Sequence, residues 1–80
     1  MRVTPLSTDL RLVFGRNCRA VRIQKGLTQH QLGLIIGIAQ QAVAQIELGK
    51  TNITLETMVR MALAVDRDLV SLLRPDPMKR

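Results

Sequence analysis

The amino-acid sequence predicts an all-α fold, a compact five-helix bundle built around a helix-turn-helix. Apolar residues recur at intervals of three and four, the period of one helix face. Ser, Thr and Asp residues that can cap a helix alternate with glycines that can end one. Between Gln29 and Ile46, the residues Leu32, Gly33, Ile36, Gly37, Ile38, Val43 and Ile46 stand where two short helices joined by a tight turn need them. Eighty residues make one domain, and a chain of that size buries only about 60% of its unfolded surface, so its core must be economical.

Met1 to Leu6 holds a proline and few periodic residues. It reads as an arm, residues 1–7, leading to a cap at Ser7 or Thr8 and a domain over residues 8–73. The first helix follows, with an inner stripe of Leu10, Phe14, Cys18 and Val21, Val13 beside them, and arginines on the opposite face. Gly26 ends it. Thr28 with Gln31 three residues on forms a capping box that starts the second helix. Within it Gly33 allows a close crossing, and Gly37 can take the positive φ that stops it.

The third helix is expected from Gln40 to Leu48, with a stop at Gly49. Val43 and Ile46 form its inward i, i+3 pair. Ala39, at its N-cap, offers no side-chain acceptor to the free amides. Thr54 caps a fourth helix with the stripe Leu55, Met58, Met61, Ala62 and Val65, and Asp68 caps a short fifth in which Leu69, Leu72 and Leu73 close the core. Arg74-Pro75-Asp76-Pro77 cannot continue a helix, so residues 74–80 are expected to be a flexible tail.

The formal charge of +6 and a pI near 11.2 favour a polyanionic partner. No acid stands between Asp9 and Glu47, while Arg11, Arg16, Arg19, Arg22 and Lys25 fall in that gap. Phe14 is the sole aromatic, which leaves no platform for stacking unpaired bases and points to duplex DNA. The outer face of the third helix is Gln40, Gln41, Ala44 and Gln45, rich in amides and free of charge. Glutamine can pair bidentately with adenine in the major groove.

Cys18 is the single cysteine, which fits a small core residue in a reducing compartment. No apolar run approaches the roughly 20 residues of a membrane span, and the start lacks the apolar segment of a signal peptide. A cytoplasmic location without membrane contact is expected. His30 and Cys18 are solitary, and neither paired carboxylates nor a glycine-rich phosphate loop is present. No metal, cofactor or enzymatic activity is therefore expected.

The runs Arg22 to Gln29, Leu32-Gly33, Gly37 to Gln41 and Ile46 to Lys50 resemble the phage repressor and Cro, or XRE, family of regulators. The likeness covers roughly Phe14 to Leu73. It implies a lambda-repressor-like helix-turn-helix domain whose third helix lies in the major groove, usually as a dimer on a near-palindromic operator. Carried over by position, it implies base contacts from Gln40, Gln41 and Gln45, with Ala44 against a thymine methyl. It implies phosphate contacts from Gln29, flanked by Thr28, Lys50, Thr51 and Asn52, and a structural pair between Arg22 and Glu47. The chain departs from the family at Gly33, where Ala is common, at Ala39, where a hydroxyl residue is common, and at Ile53, where Pro is common. Losing the hydroxyl at Ala39 removes one phosphate contact.

Val59, Leu63 and Val70 fall outside the inner stripes and suggest a self-association patch. A two-fold dimer would set its reading helices about 34 Å apart along one face of DNA. The resulting expectation is a sequence-specific transcriptional regulator, acting as a repressor and a homodimer. A rival of another class is an antitoxin or adaptor module whose fourth and fifth helices hold a partner protein such as a toxin, with DNA binding secondary.

Overall fold

Residues 9–75 are described by the structure, a computed structural model. Among them five helices follow one another: α1 (Leu10–Gln24), α2 (Gln29–Ile36), α3 (Gln40–Glu47), α4 (Leu55–Ala64) and α5 (Leu69–Leu72). No strand is present among the described residues. The expected arm and most of the expected tail lie outside them.

Every helix but α3 starts where a side chain satisfies a free amide. Asp9 caps α1, its Oδ1 accepting from the Arg11 amide at 3.0 Å. This corrects the expected cap at Ser7 or Thr8. Three consecutive residues can each accept that bond, and the one used is set by where the first turn begins. Thr28 and Gln31 complete the capping box on α2, with the Gln31 amide donating to Thr28 Oγ1 at 3.0 Å and the Thr28 amide to Gln31 Oε1 at 2.8 Å. Thr54 and Asp68 cap α4 and α5 through the amides of Thr57 and Ser71.

Gly37 ends α2 at φ 80°, a conformation that costs a residue with a Cβ about 1–2 kcal/mol. The chain then turns so tightly that a methyl on Gly33 would lie 2.5 Å from the Ile38 carbonyl oxygen. The close approach expected at Gly33 is thus to the turn itself. α2 and α3 pack on each other, α1 crosses α3, α4 covers α2, and α5 bridges α1 and α4.

The core gathers Phe14, Cys18 and Val21 from α1, Leu32 and Ile36 from α2, Val43 and Ile46 from α3, and Met61, Ala62, Val65 and Leu72 beyond. Leu10 and Leu55 do not join it, at 55% and 64% exposure. Both are the first residue of their helix, where the apolar stripe runs past the edge of the core. Burial, with the nearby Glu47 charge acting the same way, pushes the Cys18 thiol up to about 12. At neutral pH it is a protonated packing group and a poor nucleophile.

Asn17 stands in the same helical phase as Phe14 and Val21, yet is polar and buried. Its Nδ2 donates to the carbonyls of Leu72 at 2.8 Å and Arg74 at 2.7 Å. The end of α5, whose last carbonyls lack helical partners, is thereby tied to α1. Asn17→Ala is expected to cost about 2 kcal/mol by leaving these carbonyls unpaired. Thermal denaturation checks it, and an unchanged melting temperature would mean that water replaces the amide.

Candidate nucleic-acid interface

Burying Val43 and Ile46 turns the other side of α3 outward, so Gln40, Gln41 and Gln45 are exposed and Ala44 is half-buried at the margin. Ala39 makes no side-chain cap bond, which leaves amides of the first turn of α3 facing outward with the partial positive charge of a helix start.

The inner end of α3 is held by a buried ion pair. Arg22 donates from Nε to Glu47 Oε2 at 2.6 Å and from Nη2 to Oε1 at 2.9 Å, while its Nη1 reaches the Leu27 carbonyl at 2.8 Å. The side chains are 8% and 1% exposed. Hydrogen bonding to Glu47 holds the Arg22 guanidinium above its ordinary value, so it is charged at every physiological pH. α1, the α1–α2 connection and α3 are thus fixed to one another at one point.

Gln29, at the start of α2, reaches the same pair, its Nε2 donating to Glu47 Oε1 at 3.1 Å. Gln40 Nε2 in turn lies 3.5 Å from Gln29 Oε1. Thr28 Oγ1 is engaged as the cap of α2 but keeps its hydroxyl proton to donate. Beyond α3, Gln45 lines a shallow cleft with Ala42, Thr51, Asn52, Thr54 and Thr57. Thr51 Oγ1 donates to the Asn52 carbonyl at 3.3 Å, and Lys50 is exposed.

One surface therefore runs from Gln29 through Gln40 and Gln45 to Thr51 and Asn52. Arg11 joins it unannounced by the sequence, donating from Nη1 to Asn52 Oδ1 at 3.1 Å while paired with Asp9. The signal for that contact was absent from local pattern, because 41 residues separate its partners. Arg16 and Arg19 are exposed on α1. His30 is exposed on α2, and no group of three potential metal ligands occurs among the described residues. No described helix is long and apolar enough to cross a membrane.

On α4 and α5, Val59, Leu63 and Val70 are all exposed, Leu63 at 75%. Leu63 shares a cleft with Ile35, Ile36, Arg60 and Ala64, so exposed Ile35 extends this apolar surface onto α2.

Residues 19–72 match the helix-turn-helix family. The chain is 34% identical over 67 residues to the uncharacterized HTH-type transcriptional regulator y4dJ of Sinorhizobium fredii, covering 84% of this chain and 87% of that one. Its fold is similar to the crystal structure of the hypothetical transcription factor NHTF from Neisseria, with a TM-score of 0.79 and 34% identity over 84% of this chain and 77% of that one. It is also similar to the restriction-modification controller protein C.AhdI from Aeromonas hydrophila, with a TM-score of 0.73 and 31% identity over 78% of this chain and 94% of that one. The capped α2, the glycine turn and the outward α3 agree with these likenesses, and the chain belongs to the XRE-type helix-turn-helix family of DNA-binding transcriptional regulators.

Proposed function

We propose that the protein is a homodimeric repressor that reads a near-palindromic operator with α3 and has no catalytic activity. The observation that carries this reading is the exposed, uncharged glutamine face of α3 on a chain of net charge +6. A helix surface that merely faces solvent commonly mixes Lys, Glu and Arg. This one instead carries amides that can give and accept a hydrogen bond at a base edge.

Gln40, Gln41 and Gln45 choose bases and Ala44 packs on a thymine methyl. Gln29, Thr28, Lys50, Thr51 and Asn52 set the register on the phosphates, as contacts to the backbone position and those to base edges specify. An anion at the start of α2 is favoured by its free amides and positive end. Val59, Leu63 and Val70 bury against a second copy, and repression follows from occupying the promoter.

Selection of bound sites from random duplexes tests this directly. The expected result is a palindrome with half-sites one helical turn apart. Gln41→Ala is expected to cost about 1–3 kcal/mol on the selected site and to relax one base position per half-site. Recovery of unrelated sequences would overturn the reading, and an unchanged preference in Gln41→Ala would remove that residue from base readout.

A further inference from the structure

Asn52 stands between two clefts, lining one with Gln45 and Thr51 and the other with Leu10, Arg11 and Phe14. The first turn of α1 therefore borders the loop that follows α3. Its seat there is close, since a methyl on Gly49 would lie 3.0 Å from the Cα of Leu12. Glycine at this position is what lets α1 come so near, and its φ of 72° suits glycine for a second reason.

Arg11 uses that seat. Its Nε donates to Asp9 Oδ1 at 3.2 Å, its Nη2 to Asp9 Oδ2 at 3.0 Å and its Nη1 to Asn52 Oδ1 at 3.1 Å. The carboxylate holds one edge of the planar guanidinium, and Nη1 reaches the loop. One N–H on Nη1 and one on Nη2 are left unused by these bonds. Because a guanidinium can only donate, Asn52 must turn its Oδ1 toward Arg11 and its NH2 away. Asn52 is exposed, so that NH2 is left for an acceptor from outside. The Asp9–Arg11 pair is itself exposed and screened by water, so the carboxylate steers the guanidinium without shielding its free edge.

A cation with spare donors and a neutral donor beside it match one chemical class, an oxyanion that offers acceptors and negative charge. On duplex DNA that group is a backbone phosphate. We propose that Arg11 is a phosphate-binding residue of the DNA interface, held over the α3–α4 loop by Asp9 and turning the Asn52 amide donor-side out, so that α1 and the loop grip one phosphate together. This role rests on the reading of α3 and its loop as the side that meets DNA.

Asp9→Asn with Arg11→Gln tests it. The pair of changes removes one charge of each sign, and Asn caps a helix as well as Asp does. Net charge is therefore kept, and a change in binding reports the contact rather than the overall field. Titration of a selected duplex across a salt series is expected to give a log–log slope shallower by about 0.9 for each protomer bound. The loss is greatest in dilute salt, about eightfold more per protomer at roughly 0.1 M than at roughly 1 M. The selected consensus is expected to stay as in the wild type, since a phosphate carries no base identity. Arg11→Gln alone keeps the Asp9 cap and is expected to show at least the same loss of slope, which decides the matter should the double variant not fold.

A wild type that selects no consensus and binds duplex without regard to salt overturns the DNA-reading function, and the role of Arg11 with it. A wild type with a consensus and a steep slope, beside variants of equal slope, overturns the role of Arg11 and leaves the function standing. Reduced affinity at equal slope falls on that side too, because it means that Arg11 only keeps the loop in place. A changed consensus in the variants likewise overturns phosphate binding, by making Arg11 a base contact.

Discussion

Glu47→Ala is expected to destabilise the domain by about 3–5 kcal/mol, the cost of leaving one member of a buried ion pair without the other. Arg22 would then hold a full charge at 8% side-chain exposure, with only the Leu27 carbonyl as a partner. A domain of this size has a total stability of roughly 4–12 kcal/mol, so a large part of it would be lost. The melting temperature should fall by more than about 12 °C. Arg60 and Glu56 form the control, an i, i+4 pair with side chains 52% and 76% exposed. Water screens that pair, and Glu56→Ala is expected to cost about 0.5 kcal/mol or less. Equal melting temperatures for the two variants would show that the pair contributes no more inside the protein than on its surface.

Gly15→Val is the second large effect, at about 3 kcal/mol of destabilisation, the upper end of what overpacking a core commonly costs. Gly15 lies inside α1 and is buried. A methyl there would lie 2.7 Å from the carbonyl oxygen of Glu47 and closer still to that of Ile46. These oxygens belong to the end of α3 and cannot rotate away as a side chain would. Replacing Gly by Val in a helix interior gains under about 0.5 kcal/mol of propensity, so the collision wins. Since relief requires α3 to move off α1, DNA affinity should also fall at temperatures where the variant is still folded. Thermal melting and a gel-shift titration at low temperature check both halves. A variant as stable as the wild type would mean that the helices can separate without cost.

The parts of the fold legible in the sequence are those whose physics is local. The capping box of Thr28 and Gln31 closes within three residues, and the stop at Gly37 depends on its own backbone angle. The alternation of Val43 and Ile46 with Gln40, Gln41 and Gln45 follows from 3.6 residues per turn, so the outward face of α3 could be read before its surroundings were known. Periodicity became misleading at the ends of stripes. Leu10 and Leu55 continue the apolar phase of α1 and α4, yet each precedes the point at which a neighbouring helix arrives to cover it.

Residue order determined that this chain makes short capped helices around a glycine turn and that one of them keeps an uncharged amide face. Tertiary structure alone decided what those amides meet. Asn17 finds the Leu72 carbonyl across 55 residues, Arg11 finds Asn52 across 41, and Gln29 reaches Glu47 across 18. Exposed Arg11 and Asn52 meet because the fold sets their segments side by side, whereas Asn17 and Gln29, buried and half-buried by packing, must satisfy their hydrogen bonds with whatever the fold brings near. That demand is set by the arrangement of helices in space and leaves no periodic trace in the sequence.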